Sequence, residues 1–377
     1  MEENKVIRVA QIIGHACDGG VESVIMNYYR HIDRSKVQFD FFVDGTSNII
    51  NKKEIESMGG RVTIIPYIKH YFKCMKALKK AFKENHYDIV HSNMNTLSVF
   101  YLRMAKKCGI KVRIAHSHTT SNKKEHLRNF IKNVLKLFSK TYATHYFACS
   151  ELAGRYMFGD KAYARGQVII IQNGIEIEKF RFSEDNRNLI RKKLGIDDDT
   201  FVIGHVGRFV EQKNHTFLVK IFYEVLKDRS NSKLLLIGDG PLKEDIIKKC
   251  EDLNISNKVI FLGTTSEINM YYSAMDCFLF TSLYEGLGMV LIEAQINGLY
   301  CVASKNVPPN VDISNNVLFL SLNERVNIWA ETIISGRRKE IRFAHNFDIN
   351  FNAISMLDIY KSTVEVFKKW KASIRNL

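Results

Sequence analysis

The sequence predicts an α/β protein with two Rossmann-like domains, each built on a parallel sheet, and three observations lead to this prediction. Short runs rich in β-branched and aromatic residues alternate with segments of helical spacing. A length of 377 residues suits two domains of roughly 150–200 residues each. A charged stretch without strand pattern, residues 176–200, separates two halves that repeat the same scheme. Such alternation is typical of doubly wound parallel sheets with helices on both faces.

The first half, residues 1–178, is predicted to form the N-terminal domain. Its expected strands are VIRVAQII, VQFDFFVD, RVTIIPY, YDIVHSN, KVRIAHSH, HYFACS and QVIIIQNG. The segments VESVIMNYYRHI and KCMKALKKAFKEN have helical spacing and lie between strands. Acidic residues stand where a signal peptide would carry its basic region, so we expect a cytoplasmic protein whose chain begins with a strand.

The second half repeats the pattern after a predicted linker region at residues 179–200. The domain at 201–354 should contain the strands TFVIGHVGR, SKLLLIGDG, NKVIFLGTT, DCFLFTS and YCVAS. A final helix, residues 355–377, is expected to pack back towards the N-terminal domain. In open α/β sheets ligands bind beyond the carboxyl ends of the strands, so we expect the site in a cleft between two facing sheets.

Composition excludes several classes of protein. The chain is 46% hydrophobic and 25% charged, and it has no apolar run of the roughly 20 residues that span a bilayer. Seven scattered cysteines without a Cys-x-x-Cys pair argue against a disulfide framework and a zinc site. The net charge of +15 is concentrated in residues 1–180, which hold 29 basic and 16 acidic residues. A basic half suggests an anionic partner, such as a phosphorylated substrate, nucleic acid or membrane surface.

The loops after the predicted strands carry the candidate anion-binding residues. In GHVGRFVEQKN, Arg208 and Lys213 precede a helix, whose N-terminus favours anions; a solvated surface loop is the alternative. Gly238 in GDGPL allows close approach of the backbone, although a lone Gly-x-Gly is weak evidence. Gly19 and Gly20 begin a helix after the first strand, where a glycine pair either holds a diphosphate or forms a flexible turn.

Two histidines end another strand of the N-terminal domain. His116 and His118 alternate in RIAHSHTT and are either substrate contacts or structural histidines. Two histidines without a third ligand do not predict a metal site. The run Asp197–Asp199 precedes a strand, at the wrong end of the sheet for a metal–diphosphate site, and is interpreted as linker.

Taken together, these loops resemble the retaining glycosyltransferases of family 4, which have the two-domain GT-B fold. The resemblance covers nearly the whole chain and depends on motifs in order: GGVESVIMNYYRHID, RIAHSHTT, YFACSELAG, QNGIEIEKF, GHVGRFVEQKN, GDGPL and SLYEGLGMVLIEAQINGLYCVAS. The last contains the Glu-x7-Glu motif of the family, Glu285 to Glu293. The most similar branch is that of the bacterial capsular and exopolysaccharide transferases.

The resemblance implies a role for each motif residue. Glu285, with the amides of Gly286, Leu287 and Gly288, would hold the donor sugar, and Glu293 would bind the ribose hydroxyls. The remaining roles concern the diphosphate, the transferred sugar and the acceptor. Arg208 and Lys213 would neutralise the diphosphate, His118 would lie near the transferred sugar with His116 as its substitute, and Asn173 would contact or position the acceptor.

The resemblance also implies the type of chemistry. The family retains anomeric configuration by front-face attack, in which the departing phosphate oxygen takes the acceptor's proton, so no enzyme nucleophile is expected. We expect Glu285, His118, Arg208 and Lys213 to act in catalysis, with the nucleotide sugar as substrate and no cofactor or metal. Uridine is the expected base. Positive side chains and backbone amides would then stabilise the leaving diphosphate.

A basic helix follows the histidine loop. Arg128, Lys132, Lys136 and Lys140 fall every fourth residue beside an apolar stripe, so they share one face. Such a helix either rests on the anionic inner face of the cytoplasmic membrane or packs on the core with a solvated basic side. Nucleic acid is not an expected partner, because basic and aromatic residues are not interleaved as in known binding modules.

The sequence therefore predicts a retaining glycosyltransferase that moves a hexose from a UDP-sugar to a saccharide acceptor, expected to be lipid-linked, in capsule or exopolysaccharide biosynthesis. Two alternatives remain: a nucleotide-sugar epimerase of related fold, and a non-catalytic subunit that activates a transferase. A dinucleotide oxidoreductase is disfavoured, since the full Gly-x-Gly-x-x-Gly fingerprint is missing.

Overall fold

The computed structural model describes residues 6–14, 20–45, 47, 52–118, 126–339 and 347–375, with side chains described except at 20, 126–131 and 367–375. The chain divides into two compact units. The first unit comprises Met1–Ile175 and Asn346–Leu377, and the second comprises Glu176–His345. Each unit is described on its own below.

The first unit is built on a parallel sheet. Among the described residues its seven strands are β1 (Ile7–Gly14), β2 (Val37–Asp44), β3 (Arg61–Ile65), β4 (Ile89–Ser92), β5 (Val112–Ser117), β6 (His145–Ala148) and β7 (Val168–Ile170). They lie in the order β3-β2-β1-β4-β5-β6-β7, all parallel. The chain runs outward from β1 to β3 and then returns to β4 beside β1. This reversal is a topological switch point, where open α/β sheets bind ligands.

Helices cover both faces of this sheet. They are α1 (Gly20–His31), α2 (Lys52–Ser57), α3 (Tyr71–Asn85), α4 (Ser98–Lys107), α5 (His126–Leu137), α6 (Glu151–Phe158) and α7 (Asp160–Ala164). Buried strand residues pack on either side, for example Val9 and Phe39 in one core cluster and Ala10 and Phe42 in the other. Neighbouring residues of one strand thus alternate between two apolar layers, as a doubly covered sheet requires.

The second unit contains a second parallel sheet. Its six described strands are β8 (Phe201–Val206), β9 (Ser232–Ile237), β10 (Val259–Gly263), β11 (Cys277–Phe280), β12 (Tyr300–Ser304) and β13 (Val317–Leu320). Their order is β10-β9-β8-β11-β12-β13. Its helices are α8 (Ile177–Phe180), α9 (Glu184–Leu194), α10 (His215–Asp228), α11 (Lys243–Asp252), α12 (Ile268–Ala274), α13 (Met289–Ile296) and α14 (Val326–Ser335). Two parallel sheets with flanking helices confirm the predicted α/β class.

Strand β13 is not among the strands that the sequence predicts. It pairs with β12 in parallel, with Cys301 opposite Val317. It is short, it lies at the edge of the sheet, and Leu318 is 42% exposed. Edge strands bury less apolar surface than central ones, so their hydrophobic pattern is a weaker signal.

Residues 179–200, predicted as a linker region, contain helix α9 and count with the second unit. Ser183 caps its N-terminus by accepting a hydrogen bond from the Asn186 amide, and Gly195 ends it in the left-handed conformation. Arg191 is 1% exposed and its Nη2 lies 2.8 Å from Asp276 Oδ2. Its charged sequence therefore forms a packed helix, because the half-buried carboxylate of Asp276 pairs with the buried arginine.

The last helix, α15, spans Ile349–Arg375 and begins six residues before the predicted start at 355. Its apolar residues Ile349, Ala353, Met356 and Tyr360 recur every three or four positions and enter the core cluster of β1 and α1. The first part of α15 thus contributes to the core of the first unit. No helix in the described residues is both long and apolar enough to cross a bilayer.

Candidate functional site

A largely buried ion pair lies in the loops that follow β8 and β11. Lys213 Nζ is 2.7 Å from Glu285 Oε1, and the two side chains are 15% and 8% exposed. The ammonium also lies 4.7 Å from the centroid of the Phe280 ring. Charges removed from water need a compensating partner, so each residue fixes the other. The sequence motifs that hold Lys213 and Glu285 therefore meet in space.

Backbone and side-chain hydrogen bonds join these two loops. The Leu283 amide donates to the Gln212 carbonyl at 2.8 Å, and Gln212 Nε2 donates to the Tyr284 carbonyl at 2.9 Å. The Thr281 hydroxyl donates to the Lys213 carbonyl at 3.1 Å. These bonds connect segments some 70 residues apart in the chain. They hold the Glu285 loop to the Lys213 turn without relying on the ion pair alone.

The glycine loop leads into α13 through a left-handed turn. Gly288 has φ +84°, a conformation that glycine adopts at little cost. A Cβ atom there would also lie 3.3 Å from the Phe280 ring. Leu287 is buried, so the turn is anchored in the core. The first amides of α13 have no partner within the helix and carry its positive dipole end.

Glu293 lies on α13, near its middle, and is half-buried. Its Oε2 accepts a hydrogen bond of 2.8 Å from the hydroxyl of Tyr272, a fully buried residue of α12. Burial raises the pKa of Glu293 to about 7, against the opposing effect of the Tyr272 hydrogen bond. The two glutamates of the motif thus differ: Glu285 is held in an ion pair, whereas Glu293 titrates near neutral pH.

Arg208 follows β8 and is exposed. Among the described residues its guanidinium has no hydrogen bond or ion pair. The adjacent backbone is packed against the loop after β9: the Phe209 amide donates to the Asp239 carbonyl at 3.0 Å. Gly238, at φ +141°, passes so near this loop that a Cβ would collide with the Gly207 carbonyl oxygen. Within the described parts of the chain, Arg208 is thus an unpaired cation on a loop packed against the one after β9.

Two histidines of this region were missed by the sequence analysis. His205 is fully buried in β8, and its Nδ1 lies 2.8 Å from the Leu279 carbonyl. Burial lowers the pKa of His205 well below its ordinary value and that of His215 to about 4, so both are neutral at pH 7. A Cβ on Gly207 would lie 2.9 Å from His205 Nε2 and 3.2 Å from Lys213 Cδ. Glycine at 207 therefore leaves room for the aliphatic part of the Lys213 side chain. The signal for His205 in the sequence is a histidine inside an apolar strand.

In the first unit, the two predicted histidines lie at the carboxyl end of β5. Their ring centroids are 3.9 Å apart. His118 Nε2 lies 2.9 Å from Asn93 Oδ1, and its amide donates to Asn95 Oδ1 at 2.7 Å. His116 is 3% exposed, and its Nδ1 lies 3.0 Å from His91 Nε2. Burial lowers the pKa of His118 to about 4, so an uncharged imidazole is present at neutral pH.

Other predicted residues of the first unit are placed as follows. Asn173 follows β7 and is half-buried, with no partner for its Oδ1 among the described residues. Gly20 is the first residue of α1, whereas Gly19 lies outside the described residues. In the parts of the chain that are described, no three histidine, cysteine or acidic side chains are grouped so as to hold a metal ion.

The predicted basic face belongs to α5 and the turn after it. Lys132 and Lys136 lie on the helix and Lys140 follows it, whereas the side chain of Arg128 lies outside the described residues. Lys136 Nζ is 4.6 Å from the centroid of the Tyr156 ring. Three apolar residues of the same segment are exposed: Val134 by 42%, Leu137 by 76% and Phe138 by 49%.

Two family models together match most of the chain. Residues 18–179 match the model described as Glycosyltransferase Family 4, and residues 186–335 match that described as Glycosyl transferases group 1. The second match includes Arg208, Lys213, Glu285 and Glu293. The first includes His116 and His118.

The chain is similar to several curated proteins over most of its length. It is 35% identical to "Putative glycosyltransferase EpsF" of Bacillus subtilis, over 95% of this chain and 97% of the relative. It is 27% identical to "Capsular polysaccharide biosynthesis glycosyltransferase CapH" of Staphylococcus aureus, over 95% and 99%. The galactosyltransferase of Escherichia coli named "UDP-Gal:alpha-D-GlcNAc-diphosphoundecaprenol alpha-1,3-galactosyltransferase" is 26% identical, over 77% and 78%.

Solved structures share the fold. Anabaena Alr3699/HepE, crystallised in complex with UDP, superposes with a TM-score of 0.70 at 18% identity, over 99% of this chain and 100% of that one. The two parallel sheets and this likeness identify the fold as GT-B. The family matches and the full-length relatives above show that this chain belongs to the family 4 glycosyltransferases.

Proposed function

We propose that this glycosyltransferase moves a hexose from a UDP-sugar to a lipid-linked saccharide, with retention of anomeric configuration and without a metal ion. The observation that carries the proposal is the Lys213–Glu285 pair beside the beginning of α13, with Glu293 on the same helix. This arrangement sets a fixed cation, a helix N-terminus and two carboxylates within one short region. A nucleoside diphosphate sugar offers matching groups: a diphosphate, hydroxyls on the ribose and hydroxyls on the sugar.

The donor would be held at both ends. Glu293 would accept hydrogen bonds from the ribose hydroxyls, which favour its ionised form. Glu285 and the amides of residues 286–288 would bind the sugar hydroxyls. The diphosphate would then lie near Lys213, with Arg208 as a second cation. UDP as the nucleotide is supported by the complex of HepE with UDP and by the UDP-Gal donor in the name of the Escherichia coli relative.

Charge on the leaving diphosphate is the main electrostatic task of the reaction. Lys213 is positioned for it before the donor binds, because Glu285 and the Phe280 ring fix its ammonium. Arg208 has no competing partner among the described residues and supplies a planar fork for phosphate oxygens. In a front-face mechanism the departing phosphate oxygen takes the acceptor's proton. The protein's part is then to orient both substrates and stabilise the diphosphate.

The acceptor side is proposed for the first unit. His118 and His116 are neutral at pH 7, so they would orient sugar hydroxyls rather than supply a charge. The buried Oδ1 of Asn173 has no partner among the described residues and would accept a hydrogen bond from the acceptor. A lipid diphosphate as carrier is supported by the diphosphoundecaprenol acceptor in the name of the Escherichia coli relative. The name of CapH supports a place in capsular polysaccharide biosynthesis.

Attachment to the inner face of the cytoplasmic membrane is part of the proposal. Leu137 and Phe138 are exposed on the same segment as Lys136 and Lys140. Exposed apolar side chains next to lysines suit the boundary of an anionic bilayer. A lipid-linked acceptor would be presented at such a surface.

The decisive experiment measures release of nucleoside diphosphate from a panel of nucleotide sugars, with membrane extract as acceptor source and with excess chelator. We expect release from one UDP-hexose, insensitive to chelator and reduced at least a hundredfold in Lys213→Ala and Glu285→Gln. Lys227→Ala is the matched control, because Lys227 is exposed and pairs with half-buried Glu224 on α10. The anomeric coupling in the NMR spectrum of the product reports retention.

Three outcomes would contradict parts of the proposal. Loss of activity in chelator would contradict metal independence. Conversion of one nucleotide sugar into an epimer without transfer would identify an epimerase. If no donor reacts alone but a second transferase becomes active when this chain is added, the chain is an activating subunit.

A further inference from the structure

A closed chain of polar side chains joins His116 and His118 to the C-terminal helix of the first unit. It runs from His118 through Asn93, Gln11, Tyr360 and His91 to His116. The ring of His116 packs against that of His118, which closes the chain. His118 Nε2 lies 2.9 Å from Asn93 Oδ1, and Asn93 Nδ2 lies 3.0 Å from Gln11 Oε1. Gln11 Nε2 lies 3.2 Å from the Tyr360 hydroxyl, which lies 2.7 Å from His91 Nδ1. His91 Nε2 lies 3.0 Å from His116 Nδ1.

All members of the chain except His118, which is half-buried, are enclosed in the core. Tyr360 is fully buried, and Gln11, His91, Asn93 and His116 are each less than 5% exposed. Gln11 lies in β1 and Tyr360 in α15, whereas the other members lie in β4 and β5 or directly follow them. In such a place an unpaired polar group is costly, so the orientation of one group restricts the next. Among the described residues His116 Nε2 lacks a partner, whereas the other links of the chain are made.

The donors and acceptors along the chain determine which group of each pair donates the hydrogen bond. The Tyr360 oxygen accepts from Gln11 Nε2, so its own proton goes to His91 Nδ1. His91 then carries its single proton on Nε2 and donates to His116 Nδ1. At the other end, Asn93 uses its amide nitrogen for Gln11, so its Oδ1 accepts from His118. Burial lowers the pKa of all three histidines, so each holds one proton at neutral pH.

The reverse direction is disfavoured by a backbone group. Asn93 Nδ2 also lies 3.5 Å from the His91 carbonyl oxygen. Turning the amide over would place Asn93 Oδ1 against that oxygen, two acceptors facing each other without a proton between them. The direction given above therefore places the proton of His118 on Nε2 and leaves Nδ1 as an acceptor.

We propose that Tyr360 is a positioning residue: through Gln11 and Asn93 it holds His118 as the Nε2–H tautomer, so that Nδ1 accepts a hydrogen bond from a substrate hydroxyl. The ring nitrogen that carries the proton is set by the bond made at the other nitrogen. The part of the proposal that concerns a substrate hydroxyl rests on the proposed function, whereas the tautomer itself does not. A residue in the last helix thereby controls a side chain predicted to lie near the transferred sugar.

The first test is nitrogen NMR of the full-length protein with ¹⁵N-labelled histidine, with the His118 signals assigned by comparison with His118→Ala. The wild type should show His118 as a single Nε2–H tautomer. Tyr360→Phe removes the donor to His91 and the acceptor for Gln11, so the Nδ1–H form of His118 should appear. Tyr29→Phe is the control: Tyr29 is also fully buried in the first unit, but its hydroxyl donates to Gln38. It should leave the tautomer unchanged.

Wild-type protein with His118 as Nδ1–H would overturn the proposal, even if Tyr360→Phe did not fold. An unchanged His118 signal in folded Tyr360→Phe would overturn it as well. In the transfer assay, loss of one oriented hydrogen bond should lower kcat of Tyr360→Phe roughly fivefold to tenfold. Its affinity for UDP should not change, because the proposed nucleotide contacts belong to the second unit. A lowered affinity for UDP with unchanged kcat would contradict the positioning role.

The two proposals fail in different ways. If the wild type transfers no sugar but shows the expected tautomers, the proposed function fails and the network stands. If transfer occurs and Tyr360→Phe alters neither kcat nor the tautomer, the network proposal fails and the function stands.

Discussion

Lys213 and Glu285 form an ion pair in the candidate donor site: their charged atoms lie 2.7 Å apart and both side chains are largely buried. The residues are 72 positions apart in the chain. One follows β8 and the other follows β11, which are neighbours in the sheet. The pair therefore joins two strand-end loops and fixes a cation between them.

The first prediction concerns the stability of this pair. Lys213→Met should lower the free energy of unfolding of the second unit by about 3 kcal/mol, because it leaves Glu285 buried without its partner. Lys213→Met combined with Glu285→Gln should recover most of that loss, since both charges are removed together. Urea unfolding monitored by circular dichroism gives the comparison. Lys227→Met, which removes an exposed lysine from its surface pair with Glu224, should change stability by less than about 0.5 kcal/mol. Additive losses in the double variant would mean that the two charges do not depend on each other.

The second prediction concerns the pH dependence of nucleotide binding. The pKa of Glu293 is raised to about 7 by burial, so free protein holds a proton there below neutral pH. Ribose hydroxyls donate to the ionised form, and binding should therefore release this proton. The dissociation constant for UDP should rise as pH falls below 7, approaching tenfold per pH unit. Calorimetry at pH 5.5–8.5 in two buffers of different ionisation enthalpy measures both effects.

A variant tests whether Glu293 is the group that titrates. Tyr272→Phe removes the hydrogen bond that lowers the pKa of Glu293, so the midpoint of the pH profile should move upward. The sign for stability also follows. The folded state holds the proton more tightly than the unfolded state, so Glu293 contributes less stability as pH rises from about 4.5 to about 7. UDP affinity that is flat between pH 5.5 and 7.5 would remove Glu293 from the nucleotide site.

The third prediction concerns the close approach of two loops. Gly238→Ala should weaken UDP binding at least roughly tenfold, because the new Cβ would collide with the Gly207 carbonyl and displace Arg208. Gly195→Ala is the control: Gly195 also has positive φ, but its Cβ would have no atom within 4 Å. Gly195→Ala carries the strain of a left-handed residue, about 1 kcal/mol or more, without a collision, so it shows how far backbone strain alone affects affinity. Equal UDP affinities of the two variants would show that the loop contact does not position Arg208.

The fourth prediction concerns the membrane surface. Leu137→Gln should lower binding to vesicles rich in anionic lipid roughly tenfold, because it removes an exposed leucine from the proposed contact. Lys140→Glu should lower it by at least roughly fivefold, and added salt should reduce this second effect. Leu189→Gln serves as control, since Leu189 is 55% exposed on α9 of the second unit. Vesicle sedimentation gives the bound fraction. If Leu189→Gln weakens binding as much as Leu137→Gln does, α5 is not the contact.

The α/β class and most strands were predictable because hydrophobic periodicity is local. Strands such as β2 and β9 are buried along nearly their whole length and are flanked by polar or glycine residues. The edge strand β13 and the packed helix α9 were not predictable by the same rule. The first is half-exposed, and the charge of the second is compensated by Asp276, which lies far away in the chain.

The sequence by itself determined the spacing of Glu285 and Glu293 across the beginning of one helix, and the order of the strand-end loops that carry Arg208, Lys213 and the two histidines. Tertiary structure decided which groups are partners. Glu285 is held by Lys213, Glu293 by Tyr272, and Gln11 by Tyr360, which is 349 residues away. The physical reason is burial: a polar group removed from water takes whichever partner the sheet register and helix packing bring within hydrogen-bond distance, and local sequence does not encode that choice.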